Sequence, residues 1–192
     1  LDGIVSVLLG QLLLAGGKPS EAVNVLKKHT RNIECATLCI QGYLMMGRPD
    51  IAQQEIEATK GWSDDALPLQ LAEAWVNLTM GGERCQSTAY IFDELGINAS
   101  ISANSLCGQA ACNLMMQRYP EAESLLLEAQ SSDAKNPEVL ANLMVAHYLT
   151  GNAADAETCL SELEMEHPTH PFIQRRQEKS ALFDTAAAAF TV

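Results

Sequence analysis

The chain has 192 residues, enough for one sizeable domain or a short repeat array. Hydrophobic residues make up 47% of it and aromatic residues only 5%, so its apolar content is mainly small and aliphatic, which suits close helix packing. A net charge of −12 argues against binding to nucleic acid or to an anionic membrane surface. Because β-branched alternation is scarce, strands are not expected.

An apolar run over residues 4–15 opens the chain, with Gly10 and Gln11 inside it and Asp2 before it. The run is too short to span a membrane. Without a basic flank it does not resemble a signal peptide. Position 1 is not Met, and the run reads as the inside of a helix. We therefore expect a fragment that lacks N-terminal repeats.

Three helical hairpins are predicted next, over residues 1–30, 31–60 and 64–96. In the first, Pro19 and Glu21 predict the start of the second helix, because Pro is tolerated in the first turn and the helix dipole favours Glu there. The third hairpin is less regular: Asp64 or Asp65 is expected to cap its first helix, and Gly81-Gly82 to end it.

The fourth and fifth hairpins, over residues 100–132 and 136–167, carry the clearest repeat. Five small or aliphatic positions recur 34 residues apart: Leu106, Ala110, Ala122, Leu126 and Ala129 recur as Leu140, Met144, Ala156, Leu160 and Leu163. A 34-residue period with small residues at helix contacts is typical of tetratricopeptide repeats. A last helix over residues 170–189 reads as the cap of the array, and its alanine-rich end is expected to fray.

One alanine marks the second helix of each hairpin, with spacings of 30, 37, 33 and 34 residues: Ala22, Ala52, Ala89, Ala122 and Ala156. The predicted fold is an all-α, tetratricopeptide-like right-handed solenoid of about five hairpins with a C-terminal capping helix. It would form a single domain over residues 1–192.

No residue pattern predicts catalysis, a cofactor or a metal site. No phosphate-binding loop, nucleophile elbow or zinc-protease motif occurs. His167 and His170 are interleaved with prolines and read as turn residues, while His147 occupies a packing position of the repeat. The cysteines form no CxxC pair and read as buried, reduced thiols of a cytosolic protein: Cys35, Cys39, Cys85, Cys107, Cys112 and Cys159. An enzyme or metal protein using these residues is the alternative, which metal analysis would test.

A stacked array offers a concave surface lined by the first helix of each hairpin. In the repeat template, residues early and midway in that helix face the groove, and the mixture here suits a protein segment. The predicted partner-binding residues are Glu34, Thr37, Gln41 and Leu44 in the second hairpin, Asn104, Cys107, Ala111, Leu114 and Met115 in the fourth, and Glu138, Ala141, Val145 and Tyr148 in the fifth. The alternative is that several of them pack against the neighbouring helix.

Segments in the right order and spacing over residues 33–184 resemble the coatomer epsilon subunit family. They are Ala74-Trp75-Val76-Asn77-Leu78, Gly81-Gly82-Glu83, Ala89-Tyr90-Ile91-Phe92, Gly108-Gln109-Ala110-Ala111-Cys112, the stretch 119–127, Pro137-Glu138, Asn142-Leu143, His170-Pro171-Phe172-Ile173 and Phe183-Asp184. Two features depart from the family: its N-terminal portion is missing, and the last ten residues are unusually rich in alanine.

The resemblance implies a non-enzymatic structural subunit of the COPI vesicle coat. Such a protein would bind and stabilise the C-terminal domain of the coatomer alpha subunit in Golgi–ER and intra-Golgi transport. It would be cytoplasmic and peripheral on Golgi and vesicle membranes through the coat, without membrane insertion. The alternative function is a generic tetratricopeptide adaptor or co-chaperone that clamps an acidic peptide tail, although the predicted groove holds almost no basic residue.

Overall fold

The computed structural model describes residues 2–63, 65–99 and 102–190, with backbone alone for residues 97–99. These ranges hold eleven helices and no strand, as the sequence predicts. The helices are α1 (Gly3–Ala15), α2 (Pro19–Leu26), α3 (Ile33–Met45), α4 (Pro49–Lys60), α5 (Leu67–Met80), α6 (Arg84–Ala99), α7 (Ala103–Met115), α8 (Tyr119–Ser132), α9 (Pro137–Thr150), α10 (Ala153–Glu166) and α11 (Pro171–Ala189). The chain divides into two compact units, residues 1–92 and 93–192.

The first unit is built from the hairpins α1–α2 and α3–α4, with α5 packed against both α3 and α4. Pro19 begins α2 as predicted, and Pro49 begins α4 in the same way. Ala22 and Ala52 are fully buried, each four residues before a fully buried branched side chain, Leu26 or Ile56. The predicted small positions of the second helices are therefore helix contacts in this unit.

Two glycines allow neighbouring helices of the first unit to approach closely. A Cβ atom at Gly10 in α1 would lie 2.6 to 2.9 Å from three side-chain carbons of Leu26 in α2. A Cβ atom at Gly42 in α3 would lie 2.8 Å from Val23, also in α2. No real Cβ tolerates such distances, so both positions depend on the absence of a side chain.

Four hairpins share one turn between their two helices. Each turn contains one residue in the left-handed region. It is a glycine in three hairpins, Gly17, Gly47 and Gly151, and Gln117 (φ 61°) in the fourth hairpin. The amide of the next residue donates a hydrogen bond of 2.8 or 2.9 Å to the carbonyl five residues earlier. This 6→1 bond satisfies carbonyls at the helix end. The repeat is thus visible in the backbone as well as in the sequence.

The third hairpin departs from this pattern in two ways. Ala66, not Asp65, is the N-cap of α5, and it makes no side-chain capping bond; Asp64 lies outside the described residues. In α6 Thr88 is fully buried, whereas the neighbouring Ala89, the predicted small position, is only half-buried. Thr88 lies four residues before the buried Phe92, as Ala22 lies before Leu26. Gly81 ends α5, as predicted.

The second unit contains the end of α6, the hairpins α7–α8 and α9–α10, and α11. Its core includes the fully buried Ala122, Leu126 and Ala156 from the 34-residue repeat. The last helix begins at Pro171, and Ile173 is its one buried residue. Its later apolar residues Leu182 and Phe183 are exposed. Of the alanine-rich end expected to fray, residues 186–189 are the last turn of α11, while Thr191 and Val192 lie outside the described residues. None of the described helices is both long and apolar enough to cross a membrane.

Candidate partner-binding surface

A shallow apolar cleft of about 190 Å³ lies between α3 and α5 in the first unit. We call it the α3–α5 cleft. Eight residues form its walls: Thr37, Leu38, Ile40, Gln41, Pro68, Leu71, Ala72 and Trp75. Trp75 is the largest of them, and 48% of its surface is exposed. Tryptophan is among the residue types that contribute most to binding energy at protein interfaces, and here its indole is exposed beside an apolar depression.

Two of the predicted partner-binding residues lie in this cleft. The Thr37 hydroxyl donates to the backbone carbonyls of Ile33 and Glu34 at 3.0 and 3.1 Å, so its polar group is already satisfied within α3. The half-buried Gln41 side chain makes no hydrogen bond within the described ranges. Its amide can therefore donate to and accept from the backbone of a bound segment.

The other two predicted residues of this hairpin lie outside the cleft walls. Glu34 is exposed in the first turn of α3, where the helix dipole favours its charge. Leu44 is half-buried and packs against the core of the first unit. Thr37 and Gln41 are thus the members of the predicted set that the first unit places beside an open apolar surface.

In the second unit, four predicted residues are exposed, on α7 or α9. They are Asn104, Met115, Glu138 and Tyr148. Asn104 accepts a hydrogen bond of 3.2 Å from the Asn136 amide. The hydroxyl of Tyr148 donates to the Glu157 carboxylate, and this hydrogen bond raises the pKa of Tyr148. Of the four, Met115 offers an exposed apolar side chain.

The remaining predicted residues of this unit serve packing to different degrees. Cys107 and Ala141 are each only 7% exposed and belong to the core, so they present little surface to a partner. Leu114 and Val145 are partly buried against the same core, and Ala111 is half-buried. The alternative of packing against a neighbouring helix therefore applies to Cys107 and Ala141.

Six of the eight cleft residues were not among the predicted partner-binding residues: Leu38 and Ile40 on α3, and Pro68, Leu71, Ala72 and Trp75 on α5. The predicted set contained no residue of α5, the first helix of the irregular third hairpin. The signal was nevertheless present, since Leu71 and Trp75 are four residues apart and share one helix face. A large aromatic on the same face as an apolar neighbour would have pointed to this surface.

The cysteines and histidines considered as candidate ligands or catalytic groups are engaged in packing or structural hydrogen bonds. All six cysteines are buried thiols, as predicted, and burial raises the pKa of Cys39 to about 12 and that of Cys107 to about 11. His147 is buried, with its Nδ1 2.8 Å from a Glu123 oxygen, which confirms it as a packed histidine.

The two histidines of the H-x-x-H pattern, His167 and His170, also make contacts within the fold. The Nε2 atom of His167 lies 2.9 Å from the carbonyl oxygen of Lys135, and that of His170 lies 3.2 Å from a Glu138 oxygen. These contacts link the end of the fifth hairpin to the start of α9. Among the described residues, no group of three or more potential ligands is arranged to hold a metal ion.

Solved structures share the fold of this chain at low sequence identity. A thermophilic TPR protein of Thermus thermophilus superposes with a TM-score of 0.79 at 13% identity, over 94% of this chain and 100% of that chain. A tetratricopeptide repeat protein of Parabacteroides merdae gives a TM-score of 0.69 at 17% identity, over 86% of this chain and 66% of that one. These similarities confirm the predicted all-α, tetratricopeptide-like solenoid fold.

Sequence comparison identifies the family. The chain is 31% identical over 192 residues to coatomer subunit epsilon-1 of Arabidopsis thaliana, covering 98% of this chain and 64% of that protein. It is 34% identical over 167 residues to coatomer subunit epsilon-2 of Oryza sativa subsp. japonica, covering 85% and 56%. The chain thus spans less than two thirds of the length of these relatives. A family model described as coatomer epsilon subunit matches residues 1–191, and the chain belongs to this family.

Proposed function

We propose that this chain is a non-enzymatic structural subunit of the COPI coat that binds and stabilises the C-terminal domain of the coatomer alpha subunit. It would act in the cytoplasm, held peripherally on Golgi and vesicle membranes through the coat. Membership of the coatomer epsilon subunit family supports the coat role. The observation that carries the binding proposal is the α3–α5 cleft, with its exposed Trp75 and the Gln41 amide beside it.

The cleft suits a protein segment better than a small molecule. It is shallow, mainly apolar and open to solvent, with a volume of about 190 Å³, which is too small for a typical ligand pocket. An apolar side chain of the alpha subunit would contact Leu71 and the Trp75 ring. The Gln41 amide would pair with the backbone beside it and fix the direction of the segment.

Titration calorimetry against the purified C-terminal domain of the alpha subunit tests this proposal. Trp75→Ala removes the main apolar wall, and loss of such an interface anchor costs about 2 kcal/mol or more, a weakening of about thirtyfold. Tyr90→Ala is the matched control, because Tyr90 lies on α6 outside the cleft and is 65% exposed. Circular dichroism would establish that both variants remain folded.

We expect one-to-one binding with a negative heat-capacity change, strongly weakened by Trp75→Ala and little changed by Tyr90→Ala. If both variants bound as tightly as the wild-type chain, the alpha subunit would remain the partner, but the α3–α5 cleft would not be part of the interface. No binding by the folded wild-type chain would count against the partner itself.

A further inference from the structure

A second pocket of the first unit lies where the first hairpin meets the next two helices. Residue 27 and residues 29–32, from the connection between α2 and α3, form one side of it, and α3 and α4 form the others. We call this cavity, of about 290 Å³, the loop pocket. Lys27, His29 and Arg31 line it on the connection, and Trp62 lines it beyond the end of α4. It shares no lining residue with the α3–α5 cleft.

The loop pocket carries a concentration of positive charge in an acidic protein. Three of the chain's twelve basic residues, Lys27, Lys28 and Arg31, fall within five positions that contain no acidic residue. Lys28 and Arg31 form no ion pair with any residue the structure describes. Lys27 faces the carboxylate of Glu55 at 3.8 Å, and a hydrogen bond with the Tyr43 side chain raises the pKa of Lys27. Lys27 therefore remains cationic at neutral pH.

Beyond the connection, the loop pocket is lined mainly by apolar side chains and thiols, with Glu55 and Thr59 as its polar members. The thiols of Cys35 and Cys39 line it, and burial raises the pKa of both, that of Cys39 to about 12. Both sulfurs therefore remain protonated and behave as small apolar groups. Ala36, Ala58 and the partly exposed Trp62 complete the apolar lining. The pocket thus combines a cationic rim with an apolar interior.

We propose that the loop pocket binds an acidic segment of a partner protein, with one apolar side chain of the segment inserted beside Trp62. The carboxylates of such a segment would meet Arg31, which lines the pocket, and the exposed Lys28 of the same connection. The other parts of the chain carry nine basic and 24 acidic residues, so they repel an acidic segment and favour its approach here. A small anion would use the rim but leave the apolar interior empty.

Fluorescence anisotropy of a labelled peptide tests this inference. The probe is a fluorescein-labelled peptide with four glutamates and one central leucine, mixed with the full chain at low salt. Lys28→Glu with Arg31→Glu, the rim reversal, reverses the charge of Arg31 in the pocket lining and of the exposed Lys28 beside it in the connection. Arg118→Glu with Lys179→Glu makes the same change in net charge on exposed residues of the second unit. Ala58→Phe fills the pocket without changing any charge.

We expect saturable binding that the rim reversal weakens about tenfold or more, since two attractive contacts become repulsive. The distant reversal should weaken it no more than about threefold through net charge, a loss that falls as salt screens the charges. Ala58→Phe should weaken binding while circular dichroism stays unchanged. Absent saturable binding, equal loss in the two double variants, or full displacement by an equal concentration of inorganic phosphate would overturn the proposal.

Discussion

A methyl group added at residue 10 would occupy space that Leu26 already fills. The Cβ atom of Gly10→Ala would lie 2.6, 2.9 and 2.9 Å from three carbons of the Leu26 side chain. Leu26 is fully buried in the core of the first unit and has no solvent to move into. The helices α1 and α2 must therefore separate or Leu26 must leave its rotamer.

The free energy of unfolding contains two opposing contributions at this site. Replacing glycine by alanine inside a helix stabilises by about 1 kcal/mol. Overpacking a core by one carbon costs about 1 to 3 kcal/mol, and three contacts below 3.0 Å place Gly10→Ala near the upper end. We expect a net loss of about 2 kcal/mol, because the steric cost exceeds the gain in helix propensity.

Urea unfolding followed by tryptophan fluorescence is the assay, since Trp62 and Trp75 both lie in the first unit. Gly61→Ala is the control: its new Cβ would meet only the Ala58 carbonyl at an ordinary 3.5 Å, so we expect no loss. In a Leu26→Ala background, Gly10→Ala should stabilise by about 1 kcal/mol because the opposing atoms are gone. A wild-type midpoint for Gly10→Ala alone would refute the steric reasoning.

Further predictions concern the turn and the thiols. Gln117→Gly should stabilise by about 1 kcal/mol, because Gln117 adopts the left-handed conformation that glycine adopts in three sister turns; an unchanged urea midpoint by circular dichroism contradicts this. The six thiols should react slowly with Ellman's reagent at pH 8 and fully in guanidinium, since all are buried; rapid native labelling of Cys39 contradicts this. Burial raises the pKa of Cys39 from 9.0 to about 12, so the native state holds a proton that the unfolded state loses above pH 9. The contribution of the protonated Cys39 thiol to the free energy of unfolding is complete below pH 9 and is lost as the pH rises towards 12. The urea midpoint of the wild-type chain should therefore fall above pH 9, and that of Cys39→Ala should fall less steeply.

The repeat itself could be predicted because it depends on contacts that every hairpin makes. Ala122 and Ala156 are both fully buried, as their 34-residue spacing requires. In the third hairpin the prediction chose Ala89, the small residue, but the structure buries the neighbouring Thr88. The Thr88 hydroxyl donates to the Arg84 carbonyl at 2.9 Å, so this polar residue satisfies itself within α6. A search for small apolar residues therefore does not find Thr88 at this helix contact.

The candidate site was less predictable than the fold. A template position specifies the direction of a side chain, but its exposure depends on the bulk of residues distant in sequence. Cys107 and Ala141 are small and become covered by neighbours, whereas Trp75 is too large for the adjacent helix to cover. The lining of the α3–α5 cleft includes one small residue from each helix, Thr37 and Ala72. That depends on a pairing of helices that the sequence pattern alone did not specify.

Amide hydrogen exchange tests most directly whether the α3–α5 cleft binds the alpha subunit. The chain would be measured alone and with the purified C-terminal domain of that partner. We predict that residues 33–45 and 67–80 show the strongest slowing of exchange in the complex, because a bound segment suppresses local opening of α3 and α5. A stable complex in which these two helices exchange at their free rates, or the absence of any complex, would contradict the proposed binding surface.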